Sequence, residues 1–467
     1  MAVKKFHGIP YVLWNPWTPM DTYLKFFGFG PTIITRGEGI YVYNDRGKRF
    51  INANSCTWNT ALGYGREELI EAANRQMHEL PFSSTWGLSH PKAIELGAKL
   101  IEISSGNFAH VYLGANGSEA TETAMKMARN YHRLSANPDE RERFKILSLR
   151  GSYHGLGFGA VSAVGSDEFS DLFGPLVPGF IPIDPPYCYR CPYHHEKYPE
   201  CGLECAEALD KTIQAEGPQT VAAFILEPVM GELGVVAGPP EYYQRIGEIC
   251  RKNGVLLIAD EVTTGFGRTG KWFATQDWET QPDILCLGKI ISGGYLPLSA
   301  VLTTEAIFKR FKGTRFKSGS THSGHPVSAA VGLAAIELIE REHLVENAAR
   351  MGDYIKAGFE RLKASHEIIG DVRVAGLMCQ IELVKDQQTK QSYSEGELLD
   401  IVLDISLHGA LISLDGVRFF PPLIIDTLVA DEILAILDKC LHDNQIRRVG
   451  RKVRQAGEMA AAWIQTA

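Results

Sequence analysis

The sequence predicts an α/β protein built on a mostly parallel sheet. Short apolar runs rich in Val, Ile and Leu alternate with longer stretches of helical period, the pattern of strands joined by crossover helices. The chemically distinctive residues fall just after those runs, where ligands collect in such sheets. Length agrees: 467 residues, 45% of them hydrophobic, exceed one ordinary domain and suffice for a large core and a second lobe.

Lys145–Leu149, Val221–Leu226, Val255–Ala259 and Asp283–Leu287 read as buried strands. So does Val111–Leu113, which passes through Gly114-Ala115-Asn116-Gly117-Ser118 into the helical pattern Glu119–Arg129. Leu69, Ala72, Ala73, Met77 and Leu80 share helical spacing, as do Ile433, Leu434, Leu437 and Leu441; the polar stretch Lys385–Gly396 reads as a loop in a C-terminal lobe. The 47 basic residues form no stripe and the net charge is -8, so nucleic acid is not an expected partner. No apolar run is long enough to span a membrane, and the N-terminal stretch lacks the apolar core of a secretory signal. Nine cysteines, an odd number, fit reduced thiols in a cytoplasm better than a disulfide framework.

Asp260 ends one apolar strand. A carboxylate there is costly unless it meets a cation, although a helix cap or a plain salt bridge would also account for it. Lys289 follows the next strand between Gly288 and Ser292-Gly293-Gly294; partly desolvated, it would be neutral and nucleophilic, as Schiff-base chemistry needs. Asn116, Gly117 and Ser118 open a helix whose free amides suit a phosphate, or form a simple N-cap. Tyr153-His154-Gly155 follows another strand, and its ring could stack on a planar cofactor or pack in the core. Together these supply a phosphate cradle, an aromatic platform, a buried acid and a lysine, the parts pyridoxal 5′-phosphate (PLP) chemistry requires.

Longer motifs carry a resemblance. Asp260-Glu-Val-Thr-Thr-Gly-Phe-Gly-Arg-Thr-Gly270, the Lys289 segment through Gly293-Gly294-Tyr295-Leu296-Pro297-Leu298, Gly117-Ser118-Glu119-Ala120, Glu227-Pro228, Ser323-Gly324-His325-Pro326 and Val417-Arg418-Phe419-Phe420-Pro421-Pro422-Leu423 occur together. In this order they resemble the class III aminotransferases of PLP fold type I, which include ω-amino acid and amine transaminases. The resemblance implies a large cofactor-binding domain over 60–325 with a mostly parallel central sheet flanked by helices, and a smaller α+β domain from 1–59 and 326–467. It implies that Lys289 carries the cofactor and that Asp260 keeps the pyridine nitrogen protonated. Tyr153 and Val262 would flank the ring, with Gly117 and Ser118 on the phosphate and His154 nearby. Glu227 would lie near the ring, the place from which in some members it pairs with the substrate arginine. Thr321 would reach a neighbouring subunit's phosphate, making a homodimer or a dimer of dimers with interfacial sites. Arg418 would bind the carboxylate of an oxo-acid acceptor, while Trp58 and Trp86 would wall the pocket for an amine donor. Racemases, epimerases and decarboxylating transaminases of the same fold are the nearest alternatives. Two features depart from the family pattern: Asn116 stands where a serine is usual, and His322 where many relatives carry tyrosine.

Two further patterns invite other readings. Gly265-Phe-Gly267-Arg-Thr-Gly270 fits a dinucleotide-binding loop, but no apolar helix follows it. Cys188, Cys191, Cys201 and Cys205 bracket His194 and His195 with spacing close to that of a structural zinc site, or form a set of reduced thiols.

Overall fold

The computed structural model describes residues 5–6, 9–10, 12–17, 32–104, 106–413 and 416–442; the remaining parts of the expected terminal domain segments lie outside them. Seven strands form the main sheet: β1 Phe108–Gly114, β2 Lys145–Leu149, β3 Phe180–Ile183, β4 Val221–Leu226, β5 Leu256–Asp260, β6 Ile284–Leu287 and β7 Ser299–Thr304. Their spatial order is β1-β7-β6-β5-β4-β2-β3. β7 runs antiparallel to β6 and β1, and the remaining neighbours pair in parallel. The carboxyl ends of β1, β2, β4, β5 and β6 therefore share one edge. β4 reads Val-Ala-Ala-Phe-Ile-Leu with every residue buried, because helices cover both faces of a parallel sheet and leave no solvent side to a strand.

A second sheet lies toward the C-terminus: β8 Ile369–Ala375, β9 Met378–Asp386, β10 Gln391–Ser392 and β11 Val417–Phe419, with β9 pairing antiparallel to the other three. A three-stranded antiparallel sheet over 34–51 joins this region through backbone bonds. Ile51 N donates to Gly409 O (2.8 Å), Leu411 N to Ile51 O (2.9 Å) and Phe420 N to Ala53 O (2.9 Å).

Local readings needed two adjustments. The helix Glu67–Glu79 buries Leu69, Ala72 and Gln76, while Met77 is 52% exposed and Leu80 lies just past the end. Seven residues return a helix to nearly the same face and eight do not, so Gln76 takes the inward place expected for Met77; its amide donates to Leu80 O (3.2 Å). The stretch 385–396 is not all loop. β9 reaches Asp386, β10 follows, and a capping box of Ser394 and Glu397 opens the helix Glu395–Leu407. Among the described residues no helix is long and apolar enough to cross a membrane.

Candidate active site

Asp260 is the last residue of β5 and only 3% exposed. Its Oδ1 accepts from Val262 N (3.0 Å) and its Oδ2 lies 2.7 Å from His154 Nδ1, whose ring is buried behind it. Lys289 sits two residues past β6, at φ +45°. Its Nζ donates to Thr263 Oγ1 (2.7 Å) and lies 4.6 Å from the centre of the Trp58 ring. Desolvation pulls its pKa below the ordinary lysine value, and the charges of Glu227, Asp260 and Glu232 oppose that shift. A lysine biased toward the free amine is what nucleophilic attack on an aldehyde needs.

After β1, Asn116 caps the helix Gly117–Arg133, its side chain accepting from Glu119 N (3.0 Å). The following amides face the same sheet edge with the favourable end of the helix dipole. A Cβ on Gly117 would come within 2.7 Å of Val262 Cγ1, so only glycine lets this turn pack against the residue after Asp260-Glu261. Ser118 Oγ accepts from Leu156 N (3.3 Å), which joins the turn to the segment after Tyr153-His154. Glu119 braces the other side. It accepts from Ala115 N (2.9 Å) and its carboxylate lies 2.9 Å from Ser323 Oγ and 3.0 Å from Ser320 Oγ.

Glu227, just after β4, is buried and accepts from Tyr153 N (2.8 Å) and Gly231 N (3.3 Å). Burial, and secondarily the charge of Asp260, push its pKa up to about 7. Glu227 is not the arginine's partner. Arg418, on β11 and 3% exposed, donates through Nη1 to Gly231 O (2.6 Å), Glu232 O (2.9 Å) and Glu232 Oε2 (2.9 Å). The pairing that some members make through the glutamate at Glu227 is made here by Glu232: the turn after β4 carries Glu227 inward toward Tyr153 and presents Glu232 to β11.

Trp58 is buried, stacks on Phe420 (centroids 4.4 Å apart) and has Arg418 Cζ 5.6 Å from its ring centre. It ends a turn in which Ser55, Cys56, Thr57 and Trp58 all have positive φ, at 43°, 43°, 62° and 65°. Ser55 Oγ anchors this turn on Phe420 O (2.5 Å). Lys289, Trp58 and Arg418 thus form one wall.

Trp86 and Thr321 do not join that wall within the chain. Trp86 is 67% exposed and lines a cleft of about 1040 Å³ with Tyr112, Phe316 and Gly319; Thr321 is exposed beside Ser320. The four clustered cysteines are free thiols, and the excursion bearing them docks on β9 through Tyr187 and Arg190, which both bond Glu382. Among the described residues the three-ligand group within 4.8 Å is Asp404, His408 and Cys440, not this set. The Gly265–Gly270 loop forms turns rather than a helix start, against a dinucleotide site. Sequence reasoning missed Thr263, Glu232 and Phe420. Of these only Glu232 had a local signal, as a carboxylate in the turn after a buried strand.

The donor set fits PLP: an amine for the aldehyde, a fixed carboxylate for the ring nitrogen, a helix N-terminus for the phosphate and Tyr153 at the same edge. Parallel strands with one reversed member, a strand-end lysine and an adjacent strand-end aspartate define a PLP-dependent enzyme of fold type I. The profile for aminotransferase class III matches residues 28–441. A putrescine–pyruvate aminotransferase of Pseudomonas aeruginosa is 34% identical over 447 residues, 94% of this chain and 95% of its own. A taurine–pyruvate aminotransferase of Bilophila wadsworthia is 36% identical over 88% of this chain and 92% of its own. The crystal structure of a thermostable (S)-enantioselective ω-transaminase from Thermomicrobium roseum superposes with a TM-score of 0.87 at 38% identity, covering 92% of this chain and 95% of that one. The chain belongs to the class III aminotransferases, and its cofactor is PLP.

Proposed function

We propose that the enzyme moves the amino group of a primary amine or ω-amino acid to an oxo acid such as pyruvate or 2-oxoglutarate, donor and acceptor using one pocket in turn. The observation that carries this reading is the indole of Trp58, with the Lys289 amine 4.6 Å from its centre on one part and the Arg418 guanidinium 5.6 Å away on another. A short oxo acid could meet both groups at once. The two relatives named for their reactions both act with pyruvate, which supports that acceptor.

Bound PLP supplies an electron sink for the bond that breaks at the amine-bearing carbon. Lys289 Nζ, biased toward the neutral form, would take up the proton from that carbon and pass it to the cofactor, while Thr263 Oγ1 holds the free amine in place. Asp260, fixed by Val262 N and His154, presents an anion to the ring nitrogen's proton. Asn116, Gly117 and Ser118 would hold the phosphate end, and Tyr153 and Val262 would lie against the ring. Arg418 turns from Glu232 to a substrate carboxylate, exchanging one charged partner for another. Trp58 limits the size of the donor.

The working unit is a homodimer in the cytoplasm, with Thr321 and Trp86 of each subunit serving the partner's site; their exposure in the single chain supports this. Residues 60–325 would form the large domain, and the described residues of 1–59 and 326–467 would belong to the small one. A screen of amine donors against pyruvate and 2-oxoglutarate, read in separate half-reactions, tests the activity. A carbonyl product and aminated acceptor are expected, and amine turnover that needs no acceptor would point to a racemase instead. Sedimentation tests the dimer, which a fully active monomer at assay concentration would exclude.

A further inference from the structure

The glycine-rich loop after Asp260 holds, among the described residues, the largest side chain with essentially no exposure, that of Arg268. A buried guanidinium without a carboxylate is costly, and among the described residues no acid pairs with it. Burial lowers its pKa to about 9, so it remains a cation at neutral pH. Its Nη1 donates to two backbone carbonyls, Pro421 O (2.5 Å) and Leu377 O (3.4 Å), and its own carbonyl accepts from Leu377 N (2.8 Å).

Those two carbonyls are related. Leu377 immediately precedes β9, Pro421 lies two residues past β11, and the two strands pair with Cys379 opposite Phe419 and Gln380 opposite Arg418. One nitrogen of Arg268 therefore bridges both strands at the same end of the ladder that displays Arg418. The surrounding backbone leaves no slack. Gly376 has φ +55°, and a Cβ there would come within 2.3 Å of Thr269 C. The loop's other end carries Val262 and Thr263, which touch Asp260 and Lys289.

We propose that Arg268 is a positioning residue for the substrate: it pins the β9–β11 ladder to the loop that follows Asp260 and so sets the distance between Arg418 and Lys289 that an oxo acid must span. This rests on Arg418 binding the substrate carboxylate. A simple amine without a carboxylate does not use that distance, so the effect belongs to one half-reaction.

The test uses the dimeric holoenzyme with Arg268→Met, Arg268→Lys and, as reference, Arg418→Ala, measuring pyruvate and a simple primary amine in separate half-reactions alongside thermal melting. Arg268→Met should weaken pyruvate binding by about tenfold to a hundredfold, the latter being what a misplacement of about 1 Å can cost, and leave amine binding within about twofold. Arg268→Lys keeps a cation that can reach one carbonyl and should show a smaller loss in the same half-reaction. Should the methionine variant not fold, the lysine variant decides alone. Equal losses with both substrates would mark Arg268 as merely structural and overturn the proposal, as would unchanged pyruvate binding. If Arg418→Ala leaves pyruvate binding intact, the carboxylate reading itself fails and this inference with it. If Arg418→Ala weakens pyruvate and the Arg268 variants do not, only this inference falls.

Discussion

The pocket has two sides, and they are fastened differently. Asp260 and Lys289 stand at the ends of adjacent parallel strands, Asp260 paired in register with Cys286, so their spacing follows from the sheet. Arg418 and Trp58 come from segments more than 350 residues apart, held by backbone carbonyls, a glutamate and an indole stacked on Phe420. The first side has nowhere else to go. On the second, Arg418 is paired with Glu232, which on the proposed reading a substrate carboxylate would replace. On the proposed reading the chemistry would rest on rigid strand ends and the recognition on exchangeable contacts, which would let one site serve two substrates of different charge.

This contrast can be broken most severely at Lys289. Lys289→Ala should abolish turnover and the borohydride-reducible linkage to the cofactor; a variant that still forms the linkage would remove Lys289 from its role. Asp260→Asn should cost roughly a hundredfold or more in rate with both substrates, because the lost charge acts at the shared reacting centre. Near-normal rates would contradict it. On the other side the loss should be selective. Arg418→Ala should weaken the oxo-acid half-reaction by about 2–4 kcal/mol and spare a simple amine, which stopped-flow of the separated half-reactions would resolve. The smallest effect concerns pH. Glu227 has a folded pKa of about 7 against an ordinary 4.5, so its contribution to stability is present below 4.5 and fades as pH rises through 7. Cofactor-free enzyme should therefore melt at lower temperature at pH 8 than at pH 5, with Glu227→Gln flattening the difference. An unchanged slope in that variant would assign the pH dependence elsewhere.

The same contrast explains what could be read beforehand. Asp260, Lys289, Asn116 to Ser118 and Tyr153 each follow an apolar run, and a parallel sheet turns that local pattern into a shared edge, so their convergence was legible. Glu232 was not distinguishable from Glu227 as the arginine's partner, since the choice depends on how a turn after β4 meets a strand nearly two hundred residues later. Gln76 displaced Met77 for a different reason: the apolar pattern loses phase over two helical turns. The role of Gly376 as a close-approach point was equally invisible, because a glycine shows what is absent and not what fills the space.

The left-handed turn from Ser55 to Trp58 has a consequence for how this pocket could change. Each side-chain-bearing residue in that region costs about 1–2 kcal/mol, so four in succession form a costly conformation that persists only because its surroundings overdetermine it. The indole at its end, buried and stacked on Phe420, therefore sits on a fixed backbone rather than on a hinge. A bulkier amine cannot persuade it aside by a rotamer change. If Trp58 lines the donor pocket as proposed, a wider donor range calls for a smaller side chain there, with the backbone beneath left where it is.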